Sequence, residues 1–429
     1  MKYNAIQPAL FIDNRRNFCK HLKNSSLAVF RSNDEFTRSG DQTFSFKQNA
    51  DLFYLSGIDQ EQTILLLFPD CPNPLYKEVL FLRQTNDFLK VWEGNKYSKE
   101  QARLVSGIST IYWLEDFDQI LHSIIYSAEC VYLNSNENEY YAQSVPDANL
   151  RFVHQIKEKY PLHHLERSAP IMRELRAVKS DFEVEQISKA IAITKSAFER
   201  VLKFTKPGVR EYEIEAEIIH EFIRQGATGH AYPPIIASGS NANILHYTDN
   251  NRNCENGDMI LFDFGAEYAN YNADMSRSIP VNGRFSPRQN EVYEAVLRVM
   301  KGATKLMIAG TSWAEYNKEV GELMTEELVA LKLLSLQEAK IKPGQLPAYK
   351  RYFMHGASHH LGLDVHDLAN RYTNFVAGNV LTIEPGIYIA EEGLGIRLEN
   401  NILITNDGNI DLMRSIPLEI EEIEDLMNR

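Results

Sequence analysis

The 429-residue sequence predicts an α/β fold in two parts. The first is a mixed α/β domain over residues 1–170, and the second, over 171–429, is built of two related α+β halves facing one another. Three observations predict this. Short apolar runs alternate with turns from about residue 26 to 135; helix signals dominate after about 170; and one order of elements then occurs twice, each time ending in a strand pair that carries two acids.

Taken in order, SLAVF, DLFYLSGI, TILLLF, EVLFLR and STIYWL are rich in β-branched and aromatic residues and read as strands. Polar segments between them, such as NKYSKEQARLV, read as helices. The charged KEKYPLHHLERSAP interrupts the pattern and marks the end of the first domain near residues 155–170. Ser180-Asp181-Phe182-Glu183 is a capping box, and the helix behind it should stop before Pro207-Gly208. A second helix, REYEIEAEIIHEFIRQG, should close at Gly226. The strands MILFDFGAEY and NADMSRSI follow. Ser286-Pro287 then opens helices to about 308 and again from 312 to 335. NVLTIEPGIYIA and GIRLENNILIT close the chain as strands.

Composition narrows the function. A net charge of −13 argues against nucleic acid or an anionic membrane as the main partner, since both require basic surface. No stretch of eighteen apolar residues is present, and MKYNAIQPALFIDNRR lacks the apolar core of a signal peptide. Cys19, Cys71, Cys130 and Cys254 form no C-x-x-C pair, which argues against a disulfide framework or a thiolate zinc site and suits a reducing cytoplasm.

The acids in the strands carry the chemistry. A hairpin turning between Tyr268 and Ala269 would set Asp263 and Asp274 directly opposite, with Cβ atoms about 5 Å apart. Alone, Asp274 also reads as a turn or strand-end residue. Glu384 precedes a Pro-Gly turn, and Glu399 shares a face with Arg397, so an Arg–Glu pair would explain it equally well. Together the four require compensation, because a buried unpaired carboxylate costs several kcal/mol or takes up a proton. Two divalent ions would balance four carboxylates, in a dinuclear site with metals on the order of 3.5–4 Å apart.

Four of the twelve histidines fall in MHGASHHLGLDVHD: His355, His359, His360 and His366. His355 and His359 have the spacing of a helical zinc pair, but Gly356 stands where H-E-x-x-H needs Glu, and Gly356 and Gly362 disfavour a helix. The segment reads as a loop entering a strand. One histidine could complete a metal shell and others move protons; His360 reads as packing or surface.

MHGASHHLGLDVHD, LFDFGAEYANYNADMSRS, LTIEPGIYI and GIRLEN together resemble the pita-bread metallopeptidases, and among them the Xaa-Pro aminopeptidases. FSFKQNADLFYLSGI resembles a stretch of the creatinase-like N-terminal domain found with them. The order Asp, Asp, His, Glu, Glu, with ten residues between the two Asp, matches the family's ligands. The resemblance thus implies two divalent metal ions, best Mn²⁺, on Asp263, Asp274, His359, Glu384 and Glu399. It implies roles beside the metals for His246 (from ILHYTDN), His355, His366, Tyr388 and Arg397. Ser276-Arg277-Ser278 departs from the usual Thr-Arg-Thr.

The implied reaction is removal of the first residue from peptides with proline second, by a hydroxide held between the metals. Glu384 would pass a proton to the leaving nitrogen, His246 and His366 would steady the carbonyl oxygen, and His355 would line the proline side. The resemblance further implies peptide partners and a homo-oligomer, a dimer or tetramer. Prolidase, a dipeptidase with the same ligands, is the nearest alternative. A methionine aminopeptidase would lack the first domain, creatinase would lack the acids, and a non-catalytic peptide-binding protein on this fold would be expected to have lost ligands.

Overall fold

The computed structural model describes residues 3–137, 144–340, 346–370 and 372–429. The chain divides into two compact units, Ala5–Leu175 and Arg176–Arg429, the second joined by Tyr3 and Asn4.

The first unit is a six-stranded mixed sheet with helices. Its strands are β1 (Ser26–Arg31), β4 (Ile64–Leu67), β5 (Glu78–Leu82), β6 (Thr110–Trp113), β7 (Cys130–Leu133) and β8 (His164–Arg167), in the order β6-β5-β4-β1-β7-β8. A small hairpin, β2 (Thr37–Ser39) and β3 (Gln42–Thr43), stands apart from it. Helices α1 (Pro8–Lys20), α2 (Ala50–Ser56), α3 (Asp87–Glu93), α4 (Lys99–Ser106), α5 (Phe117–Ile124) and α6 (Ala148–Lys159) complete the unit, and α7 (Ala169–Ala177) leads out of it. Leu27, Val29, Leu66, Phe81, Val131 and Phe152 belong to its core.

One sequence reading is corrected here. DLFYLSGI is helix α2 rather than a strand. The Asn49 side chain accepts from the backbone N–H groups of Asp51 and Leu52, and Gly57 ends the helix at φ 67°. Residues 51–56 are all buried, so the apolar run carries no helical periodicity to reveal it. The charged stretch at 155–170 contributes a strand to the sheet. Its HLER segment is edge strand β8, pairing in parallel with β7, where exposure on one side accepts charged residues.

The second unit shows the repeated order. Helices α8 (Asp181–Phe204) and α9 (Glu211–Arg224) precede β9 (Gly229–His230), β10 (Ile235–Ser238), β11 (Met259–Asp263), β12 (Ala266–Tyr268), β13 (Tyr271–Asn272) and β14 (Ser276–Pro280). Helices α10 (Pro287–Leu306) and α11 (Trp313–Ala330) precede β15 (Val380–Ile383), β16 (Gly386–Ile389), β17 (Leu394–Arg397), β18 (Asn400–Thr405) and β19 (Gly408–Asp411), and α12 (Ile420–Met427) ends the chain. Capping boxes at Ser180 and Ser286 start α8 and α10, as their sequences predict. Among the described residues, no helix is long and apolar enough to cross a membrane.

Each half contains a long hairpin broken in the middle, and the acids sit at the breaks. In the first, Asp263 pairs with Ser276 on one side of the break and Glu267 with Asn272 on the other. In the second, Ile383 pairs with Asn400 and Gly386 with Arg397, so Glu384 and Glu399 fall in the gap between the two ladders. The expected pairing of Asp263 directly with Asp274 is therefore corrected. The hairpin turns at Ala269-Asn270, both left-handed at φ 53° and 66°, so Asp274 is the diagonal neighbour of Asp263. This is the φ pattern of a two-residue type I′ turn, which alanine rarely enters and the sequence does not advertise.

The two hairpins are locked together by polar groups. Arg277, fully buried, donates to the carbonyls of Glu399 (2.7 Å) and Pro417 (2.8 Å) and to Asn400 Oδ1 (2.8 Å). Asn401 Nδ2 donates to the Asp274 carbonyl at 2.7 Å, and Glu399 N–H to the Ser276 carbonyl at 3.0 Å. These bonds bring the acidic breaks of both halves to one place.

Candidate metal centre

Asp274, His359 and Glu399 offer ligand atoms that lie within 4.8 Å of one another. His359 enters from the loop before β15, held by its N–H on Thr382 Oγ1 (3.1 Å) and by Thr382 N–H on its carbonyl (2.9 Å). Its Nδ1–H donates to the His360 carbonyl at 3.0 Å, which turns Nε2 toward the carboxylates. That nitrogen is 3.3 Å from Asp274 Oδ2 and 3.6 Å from Glu384 Oε1. Asp263 joins through Tyr232, whose hydroxyl lies 2.6 Å from Asp263 Oδ1 and 2.5 Å from Asp274 Oδ1. All five sequence-predicted ligands thus converge.

The chain's own charges do not balance them. Arg397 donates to Asp263 Oδ2 (2.6 Å), Tyr388 Oη (2.9 Å) and Ser276 Oγ (2.8 Å). Its ion pair is therefore with Asp263 and not with Glu399, the partner an Arg–Glu pair would require. Burial pushes Glu384 up to about 7, against the pull of His359 and Arg397. Glu399 rises well above the usual carboxylate range through burial and through Asp274, Glu384 and Asp263 beside it. Burial also raises Asp263, with Arg397 opposing. Burial would lower His359, but Asp274 and Glu384 hold its imidazolium up at about 9. Glu399 Oε2 accepts from Ser276 Oγ at 2.8 Å, while its buried Oε1 has no hydrogen-bond partner among the described residues. Crowded carboxylates that retain protons, with an orphaned buried oxygen among them, are a donor set that fits divalent cations.

The remaining histidines divide. His355 Nε2 lies 2.7 Å from Tyr388 Oη and its Nδ1 2.7 Å from the Gly356 carbonyl, so Nδ1 carries the proton and Nε2 accepts from the tyrosine. Burial, with Arg397 nearby, lowers His355 to about 3 and keeps it neutral. His366 packs edge-on against His359, centroids 4.4 Å apart. His246 lies near enough that its charge bears on both His355 and His366. Its loop is anchored by buried Glu211, which accepts from Ser238 N and Oγ (both 2.7 Å), Tyr247 Oη (2.7 Å) and Arg252 N (2.8 Å). His360 is buried against Trp313, ring centroids 5.8 Å apart, as a packing residue.

Sequence reasoning missed Tyr232 and Ser276. Tyr232 sits in AYPP with no acid or histidine beside it, and only the fold brings it to the carboxylates. Ser276 was visible as a departure from a motif; it keeps the hydroxyl that joins Glu399 to Arg397.

Fold and centre define a class, and the chain belongs to metallopeptidase family M24, whose model matches residues 185–406. Residues 11–132 match the N-terminal domain of aminopeptidase P. The chain is 35% identical to the Xaa-Pro aminopeptidase of Haemophilus influenzae, covering 100% of this chain and 99% of that one. It is 34% identical to the Xaa-Pro aminopeptidase of Escherichia coli, covering 96% of each. Among solved structures it is similar to an aminopeptidase from Pseudomonas aeruginosa (TM-score 0.89, 29% identity, 99% and 98% covered). It is also similar to zinc-substituted E. coli aminopeptidase P in complex with product (TM-score 0.87, 31% identity, 99% of each covered).

Proposed function

We propose that this chain is a metal-dependent aminopeptidase that removes the first residue from peptides with proline in the second position. The observation that supports it best is the meeting of Asp263, Asp274, His359, Glu384 and Glu399 in a chain similar over its whole length to Xaa-Pro aminopeptidases. Those five residues would hold two divalent cations, with Mn²⁺ suited to a donor set that is nearly all carboxylate, and the cations would supply Lewis acidity and an activated water.

The side chains supply the rest. Glu384, with His355 and His359 beside its carboxylate, would hold a proton and release it to the departing proline nitrogen. Among the described residues, His246 and His366 have no hydrogen bond within the chain, so their ring N–H groups remain available to the substrate carbonyl oxygen as it gains charge. His355, kept neutral by burial and by Arg397, accepts from Tyr388 and would line the proline side. Arg397 holds Asp263 and Tyr388 in one frame. Proline has no N–H and a fixed φ near −65°, so a site shaped for it rejects ordinary peptides by fit.

A cytoplasmic setting agrees with four unpaired cysteines, and a homo-oligomer with the family resemblance. The test compares Ala-Pro-Ala, Ala-Pro and Ala-Ala-Ala, with and without Mn²⁺ after chelation. The expected result is release of alanine from Ala-Pro-Ala, little from Ala-Ala-Ala, and none from stripped protein. Fast Ala-Pro with inert tripeptide would make it a prolidase.

A further inference from the structure

The loop that carries His366 hangs from a buried ion cluster that the reaction does not use. Asp367, with its side chain 1% exposed, bonds the Arg176 guanidinium through Oδ1 and lies 2.8 Å from Lys179 Nζ through Oδ2. Both cations are themselves buried, at 3% and 1% exposed. Arg176 also donates to Asp364 Oδ2 at 2.7 Å, and Lys179 Nζ to the Arg176 carbonyl. The cations are fixed in turn, since Lys179 N–H donates to the Gly378 carbonyl and Asn379 Nδ2 to the Ala177 carbonyl, both at 2.8 Å.

The loop closes tightly on this cluster. A Cβ on Gly362 would stand 2.2 Å from Asp367 Oδ2 and 2.9 Å from Lys179 Cε. The Gly362 carbonyl accepts from Asn272 N (3.0 Å) and Nδ2 (2.9 Å), and Asp367 N–H donates to the His360 carbonyl at 2.9 Å. His366 is the contrast. Its ring packs on His359 and, among the described residues, makes no hydrogen bond within the chain. Among the described residues no hydrogen bond orients the ring, so beyond its packing on His359 its place comes from the backbone, and the backbone is set one residue on. Apolar packing of similar volume often holds a structure as well as a buried ion cluster does, so what distinguishes the cluster here is a directed geometry.

We propose that Asp367, clamped between Arg176 and Lys179, is the positioning residue for His366. This rests on the reading that His366 faces the substrate. The test is a double-mutant cycle of Lys179→Met with His366→Ala, on the full chain loaded with Mn²⁺ and assayed with Ala-Pro-Ala. In the otherwise unchanged chain, Lys179→Met should lower kcat roughly 10- to 100-fold, the scale of an ångström of misplacement, with KM little changed. In the His366→Ala background the same change should cost less than about twofold. Lys179→Arg should restore most of kcat, and bound Mn²⁺ should be equal in all variants. Equal losses in both backgrounds, or loss of metal with Lys179→Met, would overturn the positioning role and leave His366 intact as a substrate-facing residue. Unchanged kcat in His366→Ala alone would overturn the reading on which it rests. If Lys179→Met does not fold, the isosteric Asp367→Asn takes its place in the same cycle, with the same outcomes decisive.

Discussion

Gly265→Ala should damage the metal centre although residue 265 is no ligand. It lies in the break between β11 and β12, two residues past Asp263 and opposite the approach to Asp274. A Cβ there would stand 1.7 Å from the Ala273 carbonyl oxygen, against the 3.0 Å or more of ordinary contacts, so that carbonyl must retreat by over an ångström. Three bonds cross this point: Phe264 N–H to Met275 (3.0 Å), Ala273 N–H to Ala266 (3.0 Å) and Ala231 N–H to Gly265 (2.9 Å). Breaking two, and leaving buried groups unpaired, costs about 2–6 kcal/mol. Asp274 follows the same peptide, and a site tolerates only about 0.5 Å of error. The assays are urea denaturation, Mn²⁺ content after dialysis and Ala-Pro-Ala hydrolysis, with Gly229→Ala as control because nothing lies within 4 Å of its added Cβ. The variant should lose stability, metal and most activity, and the control should not. A Gly265→Ala protein with the parent's denaturation midpoint and metal content would refute the reasoning.

Removing metal with a chelator should abolish hydrolysis, with recovery best in Mn²⁺; full activity in protein shown free of metal would defeat the ligand assignment. Asp263→Asn should lose metal and activity while the chain still folds, read by metal analysis and circular dichroism. His359→Ala should inactivate and His360→Ala should keep most activity; equal losses would mean that the wrong neighbour has been named. His230, whose buried ring nitrogens have no hydrogen-bond partner among the described residues, is lowered by burial to about 4 from an ordinary 6.5. The unfolded chain therefore binds this proton more readily, so the neutral ring's stability is present above pH 6.5 and lost as pH falls toward 4. A shift of that size corresponds to about 3 kcal/mol. His230→Leu should remove that part of the pH dependence of urea stability, and parallel profiles for the two proteins would contradict it.

The acids that meet at the candidate centre stood out in the sequence because burial makes acids conspicuous, and the resemblance supplied the order of the proposed ligand set. Asp263, Glu384 and Glu399 stand in apolar runs where a carboxylate has no reason to be unless something compensates it, and the helix caps at Ser180 and Ser286 announce themselves through local hydrogen bonding. Such signals depend on a few neighbouring residues, and a linear reading recovers them. Where the apolar run was buried on every side, as in α2, the same reading chose the wrong element, because periodicity is visible only when one face meets water.

The tertiary structure decided which groups meet. A turn at Ala269-Asn270 rather than one residue earlier moved Asp274 to the diagonal of Asp263, and one residue of register is invisible without the backbone's φ. Tyr232 reached two carboxylates from 31 and 42 residues away, and Arg397 chose Asp263 over its near neighbour Glu399. Asp367 found its two cations 191 and 188 positions back along the chain. Bonds of this kind depend on distances of a few ångströms between segments far apart in sequence. Charge and hydropathy along a chain record which groups need partners, and only the folded backbone determines which partners they receive.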